Sequence, residues 1–264
     1  MARSVKKLPS YEKPPVYEVV VGVQFETLND FLAPHLGILW KCLGQNKFPN
    51  CEEFPTLSKH GAKEQIVVLS KPDLPRIMFK GKDDTTLVQF QRDRFLYNWR
   101  KLDSKKPYPR YEKVIGAFLK NYAAFESCLA EMKLPNATIE MLELSYINLI
   151  PISSFGGLKN LGDIFEDISW KKRAANTPQP TKFSLLWQFN VPQNKSLMNV
   201  HTVMVQSPET GEDMLRVELS VKGQAPDVEI SQCKNWFDNS REAIVNTFTD
   251  LTTVKAHKLW GRYE

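Results

Sequence analysis

The chain has 264 residues, of which 42% are hydrophobic, 11% aromatic and 25% charged. These are ordinary globular fractions that exclude a disordered, collagen-like or fibrous chain. A chain of this length buries most of the surface its unfolded form exposes, so it needs no disulfide or metal staple. Net charge is +5 and the sequence pI is near 8.9, mild beside dedicated nucleic-acid binders.

Residues 1–15 carry Arg3, Lys6, Lys7 and Lys13 with no apolar run behind them. They read as a flexible N-terminal arm rather than a signal peptide. Alternation then predicts a half-buried strand over 17–25, with Tyr17, Val19, Val21, Val23 and Phe25 on one face and Glu18 and Gln24 on the other. Asn29-Asp30 reads as an N-cap pair for a short helix from Phe31 to Leu43, with Pro34 in its first turn, where a missing N–H costs little. A polar connection leads to strands at Ile66–Leu69, Ile77–Phe79 and Leu87–Phe90, with turns at Lys71-Pro72-Asp73 and Gly81-Lys82-Asp83-Asp84. A long helix is expected to open at Tyr108-Pro109, striped by Val114, Phe118, Tyr122, Phe125, Leu129 and Met132, and to end at Leu134-Pro135-Asn136.

The order then starts again. Ile139–Ile150 reads as a strand, followed by a short helix near 158–168 and a loop at 176–181. Three strands come next, around 183–191, 203–205 and 215–221, and a helix from about Cys233 to Trp260 closes the chain. Each half reads strand, helix, three strands, helix. The expectation is an α+β fold of antiparallel sheets with long helices packed on one face, built by internal duplication of a β-α-β-β-β-α unit. The two units span 16–136 and 137–264 and form one compact body.

Between Arg92 and Lys113 stand eight basic residues against three acidic, a surplus equal to the net charge of the whole chain. Within this segment Arg92, Arg94, Arg100, Lys106 and Arg110 interleave with Asn98, Trp99, Tyr108 and Tyr111. Arginine forks bind phosphates or carboxylates, and aromatic faces stack on bases, so these nine residues form the candidate binding site. The same residues also suit a structural role, with Phe95, Trp99 and Tyr111 in the core and the arginines paired to Asp93, Asp103 and Glu112.

Arg-Asp-Arg-Phe (92–95), Asn-Trp-Arg (98–100), Tyr-Pro-x-Tyr (108–111), Tyr-Ile-Asn (146–148) and a C-terminal Trp260-Gly261 stand in one chain, with Pro14-Pro15 ahead of the first strand. In this combination the chain resembles a sporadically distributed family of uncharacterised bacterial and archaeal proteins. The resemblance implies prokaryotic kinship and a setting among mobile or defence-associated genes. It implies no mechanism.

Motifs that carry chemistry are missing. There is no Gly-x-Gly-x-x-Gly and no Gly-Lys-Ser/Thr loop. His35, His60, His201 and His257 are dispersed, and Cys42, Cys51, Cys128 and Cys233 form no Cys-x-x-Cys pair. Glu140 and Glu143 would face opposite sides of a strand. No catalytic residue, metal ligand or cofactor is assigned, which leans against an enzyme. Scattered cysteines suggest reduced thiols and a cytoplasmic setting. No run approaches the roughly 18 apolar residues of a membrane span, so no membrane partner is expected. Three readings stand: a non-enzymatic protein that binds another protein, an RNA- or DNA-binding module using 92–113, and an enzyme with a site between the two halves. The oligomeric state stays open.

Overall fold

A computed structural model describes residues 7–57, 74–102, 107–168, 182–207, 209–226 and 229–264. The strands are β1 (Val16–Phe25), β2 (Asn50–Phe54), β3 (Arg76–Lys80), β4 (Thr86–Gln91), β5 (Arg94–Arg100), β6 (Ile139–Pro151), β7 (Ser184–Val191), β8 (Ser196–Gln206) and β9 (Asp213–Gln224). The helices are α1 (Ala33–Leu43), α2 (Tyr111–Glu131), α3 (Lys234–Leu251) and α4 (Val254–Leu259). The fold is α+β. Its strands hydrogen-bond in the order β2-β3-β4-β5-β1-β6-β9-β8-β7, and every described register is antiparallel. The chain divides into two compact units, one of 20–102 with 109–143, the other of 1–19, 103–108 and 144–264. Strands β1 and β6 each give residues to both.

In the unit holding β2 to β5, the core is an aromatic cluster between α2 and the sheet. Phe125 stacks on Phe25 at 5.7 Å and on Phe95 at 5.1 Å, and Tyr122 meets Phe95 edge-on at 5.6 Å. Of the expected stripe, Val114, Phe118, Tyr122, Phe125 and Leu129 are buried, while Met132 is half-buried at the α2 C-cap. Gln24, expected to face solvent, is buried as well, because β1 is covered on both faces from Val19 onward.

Several boundaries differ from expectation. Helix α1 begins at Ala33, and its cap is Leu32 rather than Asn29-Asp30. The Leu32 N–H donates to His35 Nδ1 at 2.9 Å, so an imidazole three residues on satisfies the cap residue's own N–H, the part a glutamate or glutamine plays in a capping box. The helix ends at Gly44, whose φ of 94° lets its N–H reach back to the Trp40 and Lys41 carbonyls. Strand β2 lies within the stretch read as a connection. The strand expected at Ile66–Leu69 falls outside the described residues. Helix α2 opens at Tyr111, not at Tyr108-Pro109, after Arg110 at a φ of 73°.

Along β6, Leu142, Leu144, Tyr146 and Ile150 are buried, as the alternation predicts. The helix expected near 158–168 is instead a pair of short 3₁₀ turns, Ile152–Phe155 and Leu158–Asp163. The last helix is broken at Thr252–Thr253 into α3 and α4. Thr252 is extended, and its neighbours bond sideways: Glu166 N–H donates to the Leu251 carbonyl and Thr253 N–H to the Ile164 carbonyl, both at 3.0 Å. The Thr253 hydroxyl accepts from the Ala256 N–H at 3.1 Å and caps α4.

Candidate functional site

The basic-aromatic segment folds as part of a hairpin. β4 and β5 pair from Thr86↔Trp99 to Gln91↔Arg94, leaving Arg92-Asp93 as a two-residue turn. Residues 94–100 of the segment are therefore strand. Arg94 is only 4% exposed; its Nε donates to Asp93 Oδ1 at 3.2 Å and its Nη2 to the Leu57 carbonyl at 3.3 Å. Gln91 joins the same knot, donating to Asp93 and to Leu57 and accepting from the Leu57 N–H.

Arg92 is half-buried and donates to the Phe31 carbonyl at 3.0 Å. Arg100, also half-buried, donates to the Asp84 carbonyl at 3.1 Å. Asn98 is buried and accepts from Gln89 at 2.8 Å, while Gln89 accepts from Arg76 at 2.9 Å. Trp99 and Tyr111 are buried. Tyr108 meets the Tyr146 hydroxyl at 3.0 Å. Arg110 is exposed at the α2 cap. Lys106 lies outside the described residues. The segment thus gives three of its arginines internal acceptors, and its stacking residues Trp99 and Tyr111 are enclosed.

Burial also shapes the titratable groups here. It drives the Tyr97 hydroxyl up to about 12 against a lowering hydrogen bond with Thr86. Cys42 and Cys128, 86 positions apart in sequence, come together; burial, then the Cys42 side chain, push the Cys128 thiol up to about 12. A thiol held protonated in this way is a poor nucleophile.

The described surface offers a better-formed site at the other end of the chain, in the unit containing β7 to β9. Tyr11 is buried against Phe248, His257 and Trp260, with ring centroids at 6.3, 5.7 and 6.1 Å. Its hydroxyl meets the Thr249 hydroxyl at 2.8 Å. Backbone bonds fix the two chain segments side by side: Glu12 N–H to the Gly261 carbonyl, Lys13 N–H to the Trp260 carbonyl, Tyr263 N–H to the Ser10 carbonyl. The described part of the arm expected at 1–15 is therefore paired chain.

His257 is buried at the floor of this group. Arg262 Nη1 lies 3.2 Å from His257 Nδ1, and the Thr252 hydroxyl 2.9 Å from Nε2. A guanidinium can only donate, so Nδ1 carries the lone pair and the proton sits on Nε2. Burial, and after it the Arg262 charge, hold the imidazole below its ordinary pKa. The ring is a neutral strut.

Around it opens a concavity of about 350 Å³ lined by Val254, His257, Lys258, Arg262, Tyr263 and Glu264. Val254 is 64% exposed, Tyr263 56%, and nearby Leu259 52%. Glu264 pairs with Lys7 at 3.0 Å and Arg262 Nε donates to the Glu264 main-chain oxygen at 2.9 Å, so Lys258 and the other Arg262 donors are the cationic groups lining the concavity. Sequence reasoning noticed Trp260-Gly261 but not the group around it. Tyr11 and Thr249 are 238 positions apart, and no local pattern joins them. A second depression, of about 240 Å³, lies in the other unit between Glu26–Phe31 and Leu134–Thr138.

Among the described residues, no group of three or more His, Cys, Asp or Glu is placed to hold a metal ion. No described helix is long and apolar enough to cross a membrane. No protein-family model matches the chain. No curated protein is significantly similar to it.

Proposed function

We propose that this is a non-enzymatic binding protein that recognises another protein through the concavity beside α4. The observation that carries the reading is the exposure of Val254, Leu259 and Tyr263 over a floor that is fully built. Large apolar side chains held outward by a rigid base mark an interaction surface, because nothing in the base gains from exposing them. The chemistry favours a partner segment with one apolar anchor, seated between Val254 and Tyr263, and carboxylates facing Lys258 and Arg262.

On this reading the β4–β5 hairpin is scaffold. Arg92, Arg94 and Arg100 each donate to an internal acceptor at Phe31, Asp93, Leu57 or Asp84, and the stacking residues Trp99 and Tyr111 are enclosed. We also propose kinship with the sporadic prokaryotic family, on the motifs quoted above, with a cytoplasmic setting suggested by four cysteines free of disulfides. The internal duplication belongs here too. It is supported by the parallel between β1-β5-β4-β3 and β6-β9-β8-β7, where each opening strand is joined by the last strand of its half.

The test is affinity capture from the source cells with wild type, Val254→Asp and Tyr263→Ala, followed by titration of the captured protein. Both substitutions are expected to weaken binding by tenfold or more while leaving the circular dichroism unchanged. Equal capture by all three proteins overturns the site. Labelled RNA and DNA run in parallel: micromolar binding that weakens with salt and is lost in Arg110→Ala would restore the nucleic-acid reading.

A further inference from the structure

Among the described residues strand β7 ends the strand order, and its own sequence carries none of the residue devices that keep sheet edges apart. Its eight residues, Ser-Leu-Leu-Trp-Gln-Phe-Asn-Val, contain no charge, no proline and no glycine. The opposite end of the order is different. β2 has five residues, two of them Glu52 and Glu53, and Glu52 is ion-paired to Lys80 at 2.8 Å. One edge is short and charged; the other is long and uncharged.

The Met204 N–H donates to the Phe183 carbonyl, and β7 continues in the Ser184↔Val203 register. In an antiparallel ladder the residues bonded to the neighbour alternate with those facing away. The N–H and C=O groups of Ser184, Leu186, Gln188 and Asn190 therefore point away from β8. All four side chains are exposed, Leu186 by 68%. Leu185, Trp187 and Phe189 lie on the other face, only half-buried.

We propose that β7 pairs antiparallel with β7 of a second copy of this chain, about a two-fold axis at Trp187. The sequence of the strand is its own complement in that register. Trp187 meets Trp187, Leu185 meets Phe189, Leu186 meets Gln188 and Ser184 meets Asn190. The even-numbered residues exchange both backbone hydrogen bonds, and the odd-numbered ones form the closer pairs without them, where aromatic side chains pack best. No charges are brought opposite each other. An unrelated peptide would find the same backbone donors but no pocket or charge to select it, so the self-match favours the second copy.

Size-exclusion chromatography with light scattering, from about 5 to about 200 µM, tests this on the full chain. Wild type is expected to move toward twice the 30.4 kDa chain mass. Leu186→Lys with Gln188→Lys places lysine opposite lysine and is expected to stay monomeric. Leu186→Lys with Gln188→Glu places lysine opposite glutamate and is expected to dimerise. Both doubles alter only exposed positions, so their dichroism should match wild type. A wild type at the chain mass throughout overturns the proposal, whether or not it binds an extended peptide. So does equal behaviour of the two doubles.

Discussion

Protonating His257 would place a second positive charge beside Arg262 in a buried setting and remove the lone pair that Arg262 binds. Its pKa is lowered in the folded protein, first by burial and then by that guanidinium. In the unfolded chain the imidazole returns to about 6.5. The unfolded state therefore binds more protons between the two values, and stability rises with pH across that window. The contribution is complete above the unfolded value and is lost as pH falls through the folded one. Thermal melts at successive pH values below 6.5 should show this loss. In His257→Gln the amide can still meet the Thr252 hydroxyl but cannot titrate, so its acid limb should be flatter than that of wild type. An identical limb would mean that carboxylates alone set the acid sensitivity.

At the scale of elements, β1 and β5 approach closely at Gly22. A Cβ there would lie 2.1 Å from Leu96 Cδ2 and 3.1 Å from the Phe95 carbonyl oxygen. The leucine could turn aside, but the carbonyl belongs to β5 and cannot. Gly22→Ala is expected to destabilise by about 1–3 kcal/mol through overpacking, read as a lower urea midpoint with an unchanged slope. A midpoint within error of wild type would show that β5 shifts freely. The same contact shows what a sequence can reveal. Alternation marked β1, β6, β7 and β9, and the α2 stripe was plain, because each of those elements has one strongly apolar face. β5 is hidden inside the basic-aromatic segment, where Arg94 and Asn98 read as binding residues rather than as members of a buried strand. They are buried polar residues satisfied by Asp93, Leu57 and Gln89, partners that only the folded hairpin supplies. The break between α3 and α4 was hidden for a similar reason. Thr252 and Thr253 are acceptable in a helix, and it is the sideways bonds to residues 164 and 166 that end one there.

For the whole molecule, the consequence lies in how the chain is divided. A reading by halves cuts at 136/137 and leaves the N-terminal residues with the first half. The compact unit containing β7 to β9 instead takes in residues through Val19. Tyr11 sits in its aromatic group, and Leu149 N–H donates to the Pro15 carbonyl at 3.0 Å. A fragment of 137–264 would expose the cavity that Tyr11 fills and leave one side of β6 without its partner strand. Such a fragment should show a broad thermal transition with weak near-ultraviolet dichroism. A synthetic peptide of residues 7–19 should bind it in trans and sharpen the transition. With Tyr11→Ala in the peptide, binding should fall by roughly 100- to 1,000-fold, the usual cost of truncating a buried aromatic side chain. If the fragment instead melts sharply and ignores the peptide, residues 7–19 decorate a unit already complete. The Trp260-Gly261 ending would then owe its place to α3 and α4 alone, and the floor of the proposed binding site would not need the far end of the chain.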